Sequence, residues 1–199
     1  RILVLGSGAR EHAIITSLLS EDADHEITAA PGNAGIASVV PIVALDPTRG
    51  DVVSAYALDN DIELVVVGPE APLVAGVADA LRQRGIAVFG PGKAAAALEG
   101  SKTFAKRIMD DAGVPTGRAT RAGTLQDALE AIDEYGAPYV VKADGLAAGK
   151  GVIVTSDRVE ALAHASHYLP QGPVLIEEFQ VKIPAIGGAG TAVVWVALV

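Results

Sequence analysis

Apolar residues along the first ninety positions come in short continuous blocks, separated by glycine-rich breaks and stretches of helical spacing. Arg1–Leu5 is one such block, and Gly6-Ser7-Gly8 leads from it into a helical pattern through Ile14, Leu18 and Leu19. Glu26–Ala30 is a second block, ending in Pro31-Gly32-Asn33-Ala34-Gly35, and Val39–Val43 is a third. Thr48 and Asp51 have the spacing of a capping box and predict the start of a helix. Ile62–Val67 is rich in β-branched residues, as expected of a strand buried on both faces. Gly68-Pro69-Glu70 opens a helix with Val74, Val77, Ala78 and Leu81 on one face, and Ile86–Phe89 is a strand stopped by Gly90-Pro91-Gly92. Strands alternating with helices at this spacing predict an α/β fold with a Rossmann-like, doubly wound parallel sheet.

The rhythm changes near residue 100. Ser101 is placed to cap a helix carrying Phe104, Ile108 and Met109, which Gly113 and Pro115 close. A helix follows Thr124, and Tyr139–Ala143 and Val152–Thr155 are strands on either side of a glycine-rich loop. Asp157 and Glu160 have capping-box spacing for another helix, and Val174–Ile176 is a further strand. This pattern predicts a small α+β subdomain. The boundary is expected between Gly113 and Gly123, giving domains at 1–115 and 116–179, with 180–199 unassigned.

Composition narrows the function classes. Half of the 199 residues are apolar and only 4% aromatic, so the core rests on Val, Ile, Leu and Ala. There is no cysteine, which excludes disulfides and thiolate metal sites. The net charge is −9, and the basic residues are dispersed rather than gathered into a patch, so no nucleic-acid partner is expected. Nothing at the amino end resembles a signal peptide, and a cytoplasmic location is expected. The chain opens on Arg1 rather than Met, which suggests that a residue or two precede it. The stretch Ile183–Val199 is uncharged but broken by Pro184, Gly187, Gly188 and Gly190, so a buried strand pair is expected there rather than a membrane span.

Three places carry candidate chemistry. Gly6-x-Gly8 stands between a strand and a helix, where backbone N–H groups meet phosphates. A dinucleotide fingerprint requires a third glycine where this chain has Glu11, and an acidic residue where the second strand ends in Ala30-Pro31-Gly32. Both departures argue against NAD. The second place, Asp144-Gly145-Leu146-Ala147-Ala148-Gly149-Lys150-Gly151, lies between two strands and reads as a hairpin flap whose glycines and Lys150 suit phosphate oxygens. It is not a Walker loop, because Val152 stands where Ser or Thr should follow. Lys142, between Val141 and Ala143, is either on a solvent face or held by an anion. Lys102, in the first turn of its helix, reads by itself as a solvated residue. The third place is Glu177-Glu178-Phe179 at a strand end, suited either to simple solvation or to reading an adenine amine and a ribose.

Six strings in order resemble one family. They are Gly6-Ser7-Gly8-Ala9-Arg10-Glu11-His12-Ala13, Pro31-Gly32-Asn33-Ala34-Gly35, Gly68-Pro69-Glu70-Ala71-Pro72-Leu73, Leu98-Glu99-Gly100-Ser101-Lys102, Lys142 to Gly151, and Glu177-Glu178-Phe179. Together they resemble the phosphoribosylamine–glycine ligases of the ATP-grasp superfamily. The resemblance implies a Rossmann-like substrate domain followed by an ATP-grasp lid that closes against a later core domain. It implies that Lys102, Lys142 and the loop with Gly145, Gly149, Lys150 and Gly151 contact the phosphates of ATP. Glu177, Glu178 and Phe179 would read adenine, largely through backbone groups. Gly6, Gly8, Arg10, Glu11, Asn33 and Glu70 would meet phosphoribosylamine. The implied reaction is ATP-dependent ligation of glycine to 5-phosphoribosylamine through a glycyl phosphate, in purine synthesis, with magnesium present.

After Phe179 the resemblance ends. Residues 180–199 lack the carboxylates the family uses for magnesium, and Glu178 is the last acidic residue. No metal ligand is therefore assigned in this chain, and the chain alone is expected to be inactive. Three alternatives remain open: another ATP-grasp carboxylate–amine ligase, a non-catalytic nucleotide-binding module, and an NAD-dependent oxidoreductase.

Overall fold

The computed structural model describes residues 1–146 and 151–179. The chain packs as two compact units, Arg1–Ala97 and Leu98–Val199. Lys150 and Gly149, both expected over phosphate, lie outside the described residues, as does the strand pair expected within 183–199.

The first unit runs β1 (Ile2–Gly6), α1 (Ala9–Leu19), β2 (Ile27–Pro31), α2 (Ala34–Ala37), α3 (Gly50–Asp59), β3 (Leu64–Val67), α4 (Glu70–Ala75), α5 (Val77–Gln83) and β4 (Ala87–Phe89), and then α6 (Lys93–Gly100) begins. Its four strands form one parallel sheet in the order β2-β1-β3-β4. Alternation along β1 sends its side chains to two cores. Leu3 and Leu5 pack with Val53 and Ala57 of α3 and with Val77 and Leu81 of α5. Ile2 and Val4 pack with Ile15 of α1 and Ile36 of α2. Both faces are thus covered by helices, as the doubly wound pattern predicts. At the carboxyl ends of β1 and its neighbours the ladder runs on into the turns, with Gly32 N–H donating to Gly6 O and Gly68 N–H to Leu5 O, each at 3.1 Å. This register gathers the loops after β1, β2 and β3 at one end of the sheet.

Several local expectations change. The third apolar block makes only an isolated parallel bridge, Ala29 to Ile42, because the ladder stops after Pro41 O and Val43 N have bonded Ala29. Thr48 does not cap α3: its N–H and hydroxyl both bond Asp46, while Asp51 pairs with Arg49. The single helix expected after Glu70 is broken at Gly76, which takes φ +93°. Leu19 faces solvent, and Ile15 takes the buried position instead.

The second unit continues with α7 (Lys102–Asp111), β5 (Ala119–Ala122), α8 (Leu125–Tyr135), β6 (Tyr139–Ala143), β7 (Val152–Thr155), α9 (Arg158–Tyr168) and β8 (Val174–Glu177). The four strands make an antiparallel sheet in the order β5-β8-β6-β7. Thr124 caps α8 in a reciprocal box with Asp127. Asp157 caps α9, but Glu160 instead accepts from Thr155 Oγ1. One sheet face carries Ala122, Val141, Ile153, Val174 and Ile176 into a core with Ala128, Ala131 and Ile132 of α8 and Ala161 and Ala165 of α9.

The division at 97 and 98 falls earlier than the interval from Gly113 to Gly123. Helix α7 belongs to the second unit, where Ser101, Lys102 and Lys106 bond to Asp144, Gly145, Thr116 and Gly117. Glycine and proline punctuation marks where a helix stops, not which core it joins. Strand β5 and helix α6 have no clear counterpart in the hydrophobic pattern.

Candidate functional site

Each unit gathers its own set of functional side chains. In the first, Glu11 stands one turn into α1 and is almost fully buried. Its Oε2 accepts the Gly8 N–H at 2.6 Å. The carboxyl arm fills a cradle of three glycines: a Cβ at Gly6, Gly8 or Gly68 would meet it at 2.6, 2.9 or 2.1 Å. Glycine is required at these turns because the glutamate lies against them. A pyrophosphate would need the N–H and the space that Glu11 already takes, so the geometry disfavours a dinucleotide there.

Glu11 Oε1 makes no hydrogen bond but lies 3.5 Å from Arg10 Nε. Arg10 reaches on to Glu70, with Nη1 and Nη2 donating to Oε1 at 3.2 and 3.1 Å. The Glu70 carboxyl is held below its ordinary range, first by its own backbone N–H at the start of α4 and then by Arg10, against the opposing effect of burial. Asn33 caps α2, accepting Ile36 N–H at 2.9 Å, and its amide donates to Ser7 O at 2.7 Å. The six expected substrate residues are thus brought together, with differing roles. Gly6, Gly8 and Glu11 shape the turn, Asn33 ties two loops, and Arg10 and Glu70 stay exposed enough to meet a ligand.

In the second unit, strand alternation puts Lys142 of β6 and Glu177 of β8 on the sheet face opposite the α8–α9 core. Lys142 Nζ lies 2.9 Å from Glu177 Oε2, and both side chains are mostly buried. Lys106 of α7 approaches the other oxygen, Oε1, at 3.8 Å, while donating to Thr116 Oγ1 at 2.7 Å and Gly117 O at 2.8 Å. Lys102, one turn earlier on α7, is buried rather than solvated and donates to Gly145 O at 2.9 Å. Asp144 closes the arrangement by accepting from Ser101 Oγ, Thr103 N–H and Gly145 N–H.

Burial lowers the pKa of Lys102, partly offset by Asp144, with the charge of Lys142 adding to the decrease. Burial also lowers that of Lys106, against the pull of Glu177. Three ammonium groups therefore share two carboxylates in a poorly solvated place, which suits an anion with several charges.

Lys106 escaped sequence reasoning, although its signal was present: it stands four residues from Lys102 and shares its helix face. The Glu177 side chain serves as counter-ion to two lysines, Lys142 and Lys106. Glu178 turns away to Arg118, with Oε2 3.5 Å from Nε, and Phe179 is partly exposed. Gly145 takes φ +96°, which a side chain would resist. Gly151 O accepts the Ala143 N–H at 2.6 Å and closes the base of the expected hairpin.

Comparison with known proteins covers both units. The N domain of phosphoribosylglycinamide synthetase matches residues 1–99, and the ATP-grasp (A) domain of the same enzyme matches residues 100–182. The chain belongs to the phosphoribosylglycinamide synthetase family. A phosphoribosylamine–glycine ligase from Leifsonia xyli is 73% identical over 90% of this chain and 43% of that protein. One from Streptomyces coelicolor is 54% identical over 90% of this chain and 42% of its own length. The crystal structure of phosphoribosylamine–glycine ligase from Thermotoga maritima superposes with a TM-score of 0.72 at 34% identity, covering 91% of this chain and 44% of that one. A D-alanine–D-alanine ligase from Bacillus anthracis, at 18% identity and a TM-score of 0.66, shares the fold. The chain spans less than half the length of the synthetase relatives it matches.

Proposed function

We propose that this synthetase chain takes part in ATP-dependent ligation of glycine to 5-phosphoribosylamine, giving glycinamide ribonucleotide for purine synthesis. The observation that carries the reading is the convergence of Lys102, Lys106 and Lys142 about the carboxylates of Glu177 and Asp144, with Lys102 bonded to Gly145. In this reading ATP phosphorylates the glycine carboxylate, and the amine of phosphoribosylamine then displaces phosphate from the acyl phosphate. Magnesium, when bound, would supply positive charge to offset the charge developing on the transferring phosphoryl group. The proposal assigns it no ligand among the described residues.

The chain's own residues supply position and charge. Lys142 and Lys102 are proposed to face the phosphates of ATP, with the Gly145–Gly151 hairpin over them and Glu177–Phe179 against the adenine. In the first unit, Arg10 and Glu70 are proposed to meet phosphoribosylamine, Glu70 through a ribose hydroxyl, on a loop frame set by Gly6, Gly8, Glu11 and Asn33. Such chemistry depends on charge compensation and on keeping water from the acyl phosphate.

The test is ADP formation by a polypeptide of the relatives' full length carrying these residues. ADP should appear only when both glycine and phosphoribosylamine are present. Turnover with a different acid and amine would assign the chain to another ATP-grasp ligase.

A further inference from the structure

Lys106 has a geometry that none of the roles above uses. It is held in place by two neutral acceptors, Thr116 Oγ1 and Gly117 O, and it faces the Glu177 oxygen that Lys142 does not hold. The two lysines are unequal partners: Lys142 is in close contact at 2.9 Å, while Lys106 stands off at 3.8 Å. Its side chain and that of Glu177 are each about seven-eighths buried, with 14% and 13% of their surface exposed, so their charges are little screened.

An anion arriving at Lys142 has to compete with Glu177 for the same ammonium group. If Lys142 were the carboxylate's only cation, moving toward the anion would strand a buried charge, which is costly. Lys106 removes that obstacle. It is tethered independently of the carboxylate, so it stays when Lys142 turns away. We propose that Lys106 is a positioning residue that takes over the Glu177 carboxylate and so frees Lys142 to bind a phosphate of the nucleotide. This rests on the ATP reading of the lysine cluster and adds to it a residue that acts through Glu177 rather than on the nucleotide.

Lys106→Gln keeps a side chain able to bond Thr116 and Gly117 but removes the charge that faces Glu177. In the relatives-length polypeptide, equilibrium binding of ATP should weaken about tenfold in this variant, because Glu177 then holds Lys142. Adding Glu177→Gln should largely restore binding, since the competing carboxylate is gone, bringing the double variant to within about threefold of Glu177→Gln alone. Any loss of melting temperature from the altered ties to Thr116 and Gly117 should persist in the double variant, which separates positioning from simple scaffolding.

Unchanged ATP binding in Lys106→Gln overturns the proposal. So does an equal loss whether residue 177 is glutamate or glutamine. If the unsubstituted polypeptide binds no ATP, the nucleotide reading itself fails and the hand-over falls with it. Normal binding by the parent combined with no rescue sinks the hand-over alone.

Discussion

The strand-end loops of the first unit and the lysine cluster of the second both collect charged side chains, but they balance them in opposite senses. In the loops two carboxylates, Glu11 and Glu70, lean on one guanidinium, and the remaining polar groups are tied to backbone. In the cluster three lysines share Glu177 and Asp144, and burial works against the charge of Lys102 and Lys106. The first arrangement carries more negative than positive charge, leaves Glu11 Oε1 without a hydrogen bond, and fixes the shape of a turn. The second lacks negative charge and becomes more favourable when an anion is supplied. Substitutions in the loops should therefore read out first in stability, and substitutions in the cluster first in nucleotide chemistry.

The largest expected effect tests the cluster. Lys142→Ala in the relatives-length polypeptide should remove about 2–4 kcal/mol of transition-state stabilisation, from a lost charge-assisted contact to phosphate. Its effect on folding should be small, because Glu177 keeps Lys106 and the repulsion among three buried ammonium groups falls. Steady-state kinetics beside a melting curve checks both halves. A variant that melts several degrees lower yet turns over normally would make Lys142 structural and erase the contrast.

Glu11→Ala tests the loops. It empties the glycine cradle and leaves the Gly8 N–H without its acceptor, so it should lower stability by about 1–3 kcal/mol. Chemical denaturation measures it. Glu11→Gln, which keeps both the volume and an acceptor, should recover most of that loss. If the glutamine variant is as unstable as the alanine one, the charge facing Arg10 matters more than the filled cradle.

A smaller effect belongs to the start of α7. Ser101 Oγ accepts the Phe104 N–H at 3.1 Å and donates to Asp144 at 3.2 Å. Ser101→Ala should cost about 1 kcal/mol of stability, a typical helix-cap loss. The melting transition of the second unit should shift, while that of the first should not. An equal shift in both would mean that α7 stabilises more than its own unit.

Much of this was legible in the sequence, and the reasons for the exceptions are physical. Strands β6 and β7 and the caps at Ser101, Thr124 and Asp157 follow from local chemistry, and local chemistry survives folding. The parallel sheet was legible because strands buried on both faces are continuously apolar. The burial of Lys102 was not legible because an amphipathic helix gives no warning that its buried face carries an ammonium group. Phe104, Ile108 and Met109 suggested a face, yet Lys102 and Ala105 are the buried residues of α7. The part played by Glu177 depends on Lys106 and Lys142 arriving from two other elements, and no spacing within one element encodes that. Glu11 was legible as a departure from a dinucleotide turn, but its fit against Gly68 of a different loop was not.

The smallest effect concerns pH and salt, and it sets the two units apart by pH window and by the charge state that folding favours. The folded pKa of Glu70 lies below the ordinary value of 4.5, so its contribution is present above that value and is lost as the pH falls through the depressed one. The pair with Arg10 is about half exposed, so Arg10→Ala should cost no more than about 1 kcal/mol, and less at high salt. Lys102 shares the direction of the pH dependence, but in it folding disfavours the charged form rather than favouring it. Its folded pKa lies below the ordinary 10.5, so the unfolded chain binds more protons between the two values. The stability of the second unit should therefore rise with pH across that alkaline window, and Lys102→Met should reduce the rise to the share that Lys106 contributes. Melting temperatures taken along an acid and an alkaline pH ramp check that both rise with pH. An alkaline rise that persists unchanged in Lys102→Met would assign it to another group and remove burial of this lysine from the contrast.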